Sequence, residues 1–142
     1  MLTDMRIDAT IPVTDLQRAR RFYHDTLGLN EVTPQDIDPN LAKDNAMFRV
    51  GDCSRFLLFR RRERTKAEHT VAAFTVDDLE STVDDLKSRG VRFEQYDLPN
   101  LKTDSRGIVD DNGMKAAWFK DSEGNIIGVS EMAWLDKTMS LS

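Results

Sequence analysis

Residues 6–29 read RIDATIPVTDLQRARRFYHDTLGL, and the spacing of the apolar side chains changes halfway along. Every second side chain of residues 7–13 is apolar, which predicts a strand with one face against a core. In residues 16–27 apolar side chains recur every three or four positions, which predicts an amphipathic helix. Thr14 starts a capping box before that helix, and Gly28 is a natural stop after it. The stretch therefore predicts a strand followed directly by a helix.

The same order of elements returns in the second half of the chain. VTDL at Val13–Leu16 resembles VDDL at Val76–Leu79, an offset of 63 residues. Asp77 is the predicted N-cap of the second helix, and Gly90 is its predicted end. Each helix is followed by further strands, predicted at Ala46–Val50, Arg55–Arg60, Met114–Lys120 and Asn125–Glu131. A unit of strand, helix and strands that occurs twice predicts a paired module.

These elements predict an α+β fold in which two tandem βαβββ modules form one cupped mixed sheet. Module one covers about residues 5–62, module two covers about 68–132, and residues 133–142 form a tail. Residues 1–142 are predicted to be a single domain, because this length suits one hydrophobic core of ordinary size.

Composition narrows the classes of partner. The chain carries 20 basic and 25 acidic residues, a formal net charge of −5, which argues against nucleic acid as the main partner. No apolar run approaches a membrane span, and the N-terminus has no signal-peptide pattern. One cysteine, Cys53, cannot form an internal disulfide, so a cytoplasmic location is predicted.

Each predicted helix covers one face of its sheet, and the other face must be closed by something else. By strand parity that other face carries Asp8, Thr10, Phe56, Leu58, His69, Val71 and Gly128. This mixture is too polar for a plain core and too apolar for a plain surface, which favours a small-molecule pocket. Phe48, Tyr96, Trp118 and Trp134 are further candidates for its aromatic walls, with core packing as the alternative for each.

Three segments resemble the vicinal oxygen chelate superfamily of glyoxalases, bleomycin-resistance proteins and extradiol dioxygenases. They are IPVTDLQRARRFYHDTLGL at Ile11–Leu29, AFTVDDLESTVDDLKSRGV at Ala73–Val91, and AAWFKDSEGNIIGVSE at Ala116–Glu131. The resemblance implies paired βαβββ modules, binding of a small organic molecule and a homodimer. It also implies a divalent metal held by side chains on the first and last strands of each module.

The family's metal positions fall on residues that supply almost no ligands. Carried over one at a time, they are Asp8 and Val71 on the first strands and Leu58 and Gly128 on the last strands. Only Asp8 has a donor side chain, and one carboxylate does not hold a catalytic metal. We therefore predict no metal and no cofactor, and binding or sequestration of a ligand as the function.

Two alternatives compete with that prediction. In the first, the protein is a lyase, isomerase or dioxygenase that uses either a shifted metal site of His69, Asp8 and Glu131 or an acid–base pair of Asp8 with His69. In the second, the pocket is vestigial and the protein acts through a partner, with the tail Trp134–Ser142 as a candidate to cover a dimer neighbour. The basic run Arg60–Lys66 is interpreted as a solvated connector, with a rim for an anionic ligand as its alternative.

Overall fold

The structure, a computed structural model, describes residues 1–132 as two compact units. The first unit consists of Met1–Ala67 together with Asp121–Asn125, and the second consists of Glu68–Lys120 together with the described residues from Ile126 onward. The predicted tail at 133–142, with Trp134, lies outside the described residues. Within residues 1–132 no helix has the length and apolar character needed to cross a membrane.

The first unit is a four-stranded sheet with one long helical segment. Its strands are β1 (Ala9–Val13), β2 (Asn30–Glu31), β3 (Asn45–Val50) and β4 (Ser54–Arg60), in the order β1-β4-β3-β2. β1 pairs with β4 in parallel, and the other two pairings are antiparallel. Helix α1 (Leu16–Arg21) continues as a π-helical turn at Phe22–Thr26, and a single-turn helix α2 (Pro39–Ala42) precedes β3.

The core of the first unit lies between the helical segment and this sheet. Tyr23 is fully buried, and its ring centroid lies 6.0 Å from that of Phe48 and 5.1 Å from that of Phe56. Ile11 and Leu58 are buried beside these rings. Burial of each such side chain stabilises the fold by roughly 1.5–3 kcal/mol.

The second unit repeats the pattern with one extra hairpin. Its elements are β5 (Thr70–Thr75), α3 (Leu79–Ser88), β6 (Asp97–Leu98), β7 (Leu101–Lys102), β8 (Val109–Asp111), β9 (Met114–Lys120) and β10 (Ile126–Met132). The main sheet has the order β5-β10-β9-β8, with β5 and β10 parallel. Leu79 and Val83 of α3 are buried with Phe119, Ile127 and Val129. The repeated strand–helix–strands order confirms the predicted α+β class.

The first strand and both helices begin at residues other than those predicted. β1 begins at Ala9, and Ile7 is 95% exposed instead of covered by the helix. Asp15, and not Thr14, is the N-cap of α1, because its side chain accepts a hydrogen bond from the backbone amide of Arg18. Asp78, and not Asp77, caps α3 in the same way. At both caps the aspartate lies one residue after the predicted cap. Its carboxylate accepts a hydrogen bond from the backbone amide of the third residue of the helix.

The backbone of Thr14 has a different partner, a carboxylate distant in sequence. Glu123 is 1% exposed, and its Oε1 accepts from the backbone amides of Thr14 and Asp15 at 2.9 Å each. The Arg18 guanidinium donates to Glu123 Oε2 at 2.8 Å. These donors outweigh the effect of burial and lower the pKa of Glu123 from 4.5 to about 2. Glu123 therefore holds the start of α1 as a buried anion.

Asp121 and Asn125 of the same segment are also buried and hydrogen-bonded within the first unit. The Tyr23 hydroxyl donates to Asp121 Oδ2 at 2.6 Å, and the Asn125 side-chain amide donates to the Pro12 carbonyl at 2.8 Å. Burial and, after it, the contact with Asp121 both raise the pKa of Tyr23. The segment thus contacts β1 and the α1 region through polar groups.

Glu123 predicts a specific pH dependence of stability. Its pKa is lower in the folded state, so its stabilisation is complete above the unfolded value of 4.5 and is lost as pH falls towards about 2. The wild type should lose roughly 3 kcal/mol of unfolding free energy through this one group over that interval. Glu123→Gln should remove that contribution at neutral pH and flatten the acid limb in urea titrations. Glu68→Gln, at an exposed glutamate, is the control, and an unchanged acid limb in Glu123→Gln would contradict the assignment.

Candidate functional site

Strand pairing assigns each side chain of the first sheet to one of its two faces. Leu58 pairs with Ile11 on β1 and with Ala46 on β3, and all three side chains are buried on the face that packs against the helical segment. The alternate residues point the other way. We call that side the opposite face; it carries Asp8, Thr10, Pro12, Asn45, Met47, Arg49, Arg55, Leu57 and Phe59.

This register corrects the predicted placement of Phe56 and Leu58. Both lie in the core under the helix, as does Phe48, whose ring stacks on that of Phe56 with centroids 5.6 Å apart. The assignment to the opposite face is therefore wrong by one residue. Such a slip moves every side chain of a strand to the other face.

The predicted alignment of the two halves contains the same one-residue error in these strands. Gly128 pairs with Ala73 and Trp118 in the second sheet, as Leu57 pairs with Thr10 and Met47 in the first. The structural offset of these strands is thus 71, whereas the predicted metal positions Leu58 and Gly128 imply an offset of 70. The counterpart of Gly128 is Leu57, and that of Trp118 is Met47.

In the second unit the opposite face, the side of the sheet away from α3, has an aromatic and small-residue character. Val71, Trp118 and Gly128 share this face, as their parity predicts. The Tyr96 ring meets the Trp118 indole edge-on, with centroids 5.7 Å apart. A Cβ atom added to Gly128 would lie 3.5 Å from Trp118 Cδ1, so the indole borders the space that a side chain at this position would enter.

Asp8 has basic partners on the first unit's opposite face. The Arg55 guanidinium donates to Asp8 Oδ1 at 3.2 Å and to Oδ2 at 3.3 Å, and Arg6 Nε reaches Oδ1 at 3.2 Å. The two side chains of the Asp8–Arg55 pair are only 25% and 30% exposed. Thr10 follows on the same face and is exposed. Arg55 was not among the predicted site residues, although the corrected parity of β4 places it opposite Asp8.

The two other members of the alternative metal set are placed elsewhere. His69 is exposed and precedes β5. Glu131 lies on the helix side of its sheet, where its Oε1 accepts from the Leu79 amide at 2.9 Å at the start of α3. Among residues 1–132, no group of three or more His, Cys, Asp or Glu side chains could hold a metal ion.

The residues at the family's metal positions do not fit a catalytic divalent ion. With the corrected register they are Asp8, Leu57, Val71 and Gly128. Zinc and related ions need three or more nitrogen, oxygen or sulfur ligands, and three of these four side chains have no such atom. The fourth, Asp8, already binds a guanidinium.

The chain belongs to the Glyoxalase/Bleomycin resistance protein/Dioxygenase superfamily, whose model matches residues 6–129. This confirms the resemblance seen in the sequence. A search of curated proteins finds no significant match.

Three solved structures illustrate the shared fold. An integron cassette protein, HFX_CASS4 from the mobile metagenome of the Halifax Harbour sewage outfall, is 18% identical with a TM-score of 0.68, over 91% of this chain and 99% of that chain. The fosfomycin resistance protein FosX from Mesorhizobium loti is 14% identical with a TM-score of 0.61, over 95% and 98%. A lactoylglutathione lyase from Agrobacterium tumefaciens is 23% identical with a TM-score of 0.59, over 90% and 93%. At these identities the likeness extends to the fold alone.

The corrected faces of β4 predict different losses of stability for substitutions at two adjacent leucines. Leu58→Ala should lower the free energy of unfolding by about 2–5 kcal/mol, because it opens a cavity in a fully buried site. Leu57→Ala, at a half-buried position on the opposite face, should cost under about 1.5 kcal/mol. Denaturant titration of both variants measures the difference. A larger loss for Leu57→Ala would contradict the register.

Proposed function

We propose that this protein binds a small organic molecule at the sheet faces opposite its helices, without a metal ion. The observation that carries the proposal is the side-chain chemistry of the family's metal positions. Leu57, Val71 and Gly128 cannot ligate through their side chains, and Asp8 is bridged by Arg55. A cation at Asp8 would have to displace a guanidinium that neutralises the carboxylate, and Leu57, Val71 and Gly128 offer it no side-chain ligand in exchange.

The second unit supplies a surface suited to a flat apolar ligand. Trp118 and Tyr96 are half-buried, so their rings keep part of their surface available. Gly128 adds no side chain beside the indole. Aromatic rings next to small residues give a ligand a large contact area at low entropic cost.

The first unit supplies apolar surface bordered by polar groups. Met47, Leu57 and Phe59 are half-buried on its opposite face. Arg55, already held by Asp8, borders this surface with a fixed guanidinium edge. A few fixed polar groups around an apolar surface orient a ligand and give specificity.

The metal-dependent alternative requires a chemistry that this site does not favour. A lyase, isomerase or dioxygenase of this kind uses the metal to polarise substrate oxygens. Asp8 and His69 were the residues proposed for it. Asp8 is bound to two arginines, and His69 is an exposed residue outside the strand.

Two accompanying features are proposed with the binding function. A homodimer is supported by exposed apolar side chains near the N-terminus, where Leu2 is 88% exposed, Met5 65% and Ile7 95%. A reducing, cytoplasmic location is supported by Cys53, which is exposed and unpaired. Light scattering of the wild type and Ile7→Asp tests the first feature.

Ligand-observed NMR with a library of small aromatic compounds, recorded in excess EDTA, tests the binding function. Binding should survive the chelator. It should weaken roughly tenfold or more in Trp118→Ala and be largely retained in Trp118→Phe, which keeps an aromatic ring. Leu98→Ala, which removes an exposed apolar side chain of β6, is the matched control and should bind normally. Binding that disappears with EDTA and returns with one divalent ion per chain would refute metal independence.

A further inference from the structure

The first unit contains a cleft that shares only Pro12 with the opposite face of its sheet. Its volume is about 280 Å³, and it lies between the end of β1 and the segment that follows β4. It is lined by Pro12, Arg61, Glu63, Arg64, Thr65 and Lys66. We call it the linker cleft.

The lining of the linker cleft is basic within an acidic chain. Arg61, Arg64 and Lys66 contribute three positive charges and Glu63 one negative charge, a net of +2, whereas the whole chain carries −5. Within residues 1–132 no carboxylate lies within salt-bridge distance of these three cations. The preceding Arg60, in contrast, is paired with Asp44 at 2.9 Å. The cleft thus gathers cations whose charge the described chain leaves uncompensated.

Hydrogen bonds tie the segment that lines the cleft to β1 and within itself, although its three cations are exposed. The Arg61 amide donates to the Val13 carbonyl at 2.7 Å, and the Ala67 amide donates to Thr65 Oγ1 at 3.1 Å. A Cβ atom added to Gly124 would lie only 3.0 Å from Arg64 Nε and 3.1 Å from Nη2. The Arg64 guanidinium therefore lies close to the Gly124 backbone.

We propose that the linker cleft binds a phosphate monoester through its phosphoryl group. A phosphate monoester carries about −1.5 to −2 charges at neutral pH, which matches the net charge of the lining. Two guanidinium groups and one ammonium can donate charge-assisted hydrogen bonds to the phosphate oxygens. The small volume limits the occupant to the phosphoryl group and a short organic part, below the usual size of a drug-like pocket.

The basic segment contains an internal control that distinguishes a binding site from a solvated connector. Arg62 belongs to the same basic segment but does not line the cleft. If the segment acted only as diffuse positive charge, Arg62 would matter as much as its neighbours. If the cleft is a site, only the lining residues should matter.

Isothermal titration with phenyl phosphate tests this proposal, with inorganic phosphate, benzoate and phenol as comparison probes. The binding that depends on Arg64 should amount to one phenyl phosphate per chain, with weaker binding of benzoate and none of phenol. Binding of inorganic phosphate with equal affinity would indicate that the cleft recognises the phosphoryl group alone. Affinity should fall as salt is raised, because the contacts are between charges.

Matched variants separate a built cleft from general basicity. Arg64→Gln and Lys66→Gln should each weaken phenyl phosphate binding roughly tenfold, the value of one charge-assisted hydrogen bond. Arg62→Gln should change it less than about twofold, and Glu63→Gln should tighten it by removing a like charge. Equal losses in Arg62→Gln and Arg64→Gln, or no saturable binding by the wild type, would overturn the proposal.

The experiment also distinguishes this site from the proposed ligand faces. Trp118→Ala should leave phenyl phosphate binding unchanged, because Trp118 is not part of the cleft. A loss in Trp118→Ala together with an unchanged Arg64→Gln would place the phosphate ester at the aromatic face and overturn the assignment to the linker cleft.

Discussion

The alternation of side chains along a strand, fixed in phase by the pairing of β1 with β4, is the constraint on which the site depends. Ile11 and Leu58 face the helical segment together, so their neighbours Thr10 and Leu57 must face away together. The same phase brings Arg55 to Asp8. Core packing and the chemistry of the site are therefore two results of one register, and neither can change alone.

Much of the fold was predictable because its signals are local. The alternation in residues 7–13, the helical spacing after it and the repeat of both elements gave the class and the module order. The phase of β4 was not predictable in the same way, because Phe56, Leu57, Leu58 and Phe59 are all apolar and hide the alternation. The same ambiguity does not arise in β5, where the structure places Val71 on the face that its parity predicts.

The polar contacts of Asp121–Asn125 escaped the sequence for another reason. Glu123 accepts hydrogen bonds from Thr14 and Asp15, which precede it by 109 and 108 positions in the chain. No local sequence pattern predicts a partner at that distance. Once the contact exists, its consequences follow from general chemistry. A buried carboxylate that accepts several hydrogen bonds stays ionised and fixes the start of a helix. The missing ligands were visible in the sequence, whereas the neutralisation of Asp8 required the structure.

We propose that Asp8, which the resemblance places at a metal position of the family, forms an ion pair with Arg55 in place of a metal ion. Equilibrium dialysis of the purified protein against Mn²⁺, Ni²⁺ and Zn²⁺, followed by elemental analysis, tests it most directly. The account predicts well under one bound ion per chain for each metal, with no difference between the wild type and Asp8→Asn. One tightly bound ion per chain in the wild type, absent from Asp8→Asn, would contradict it.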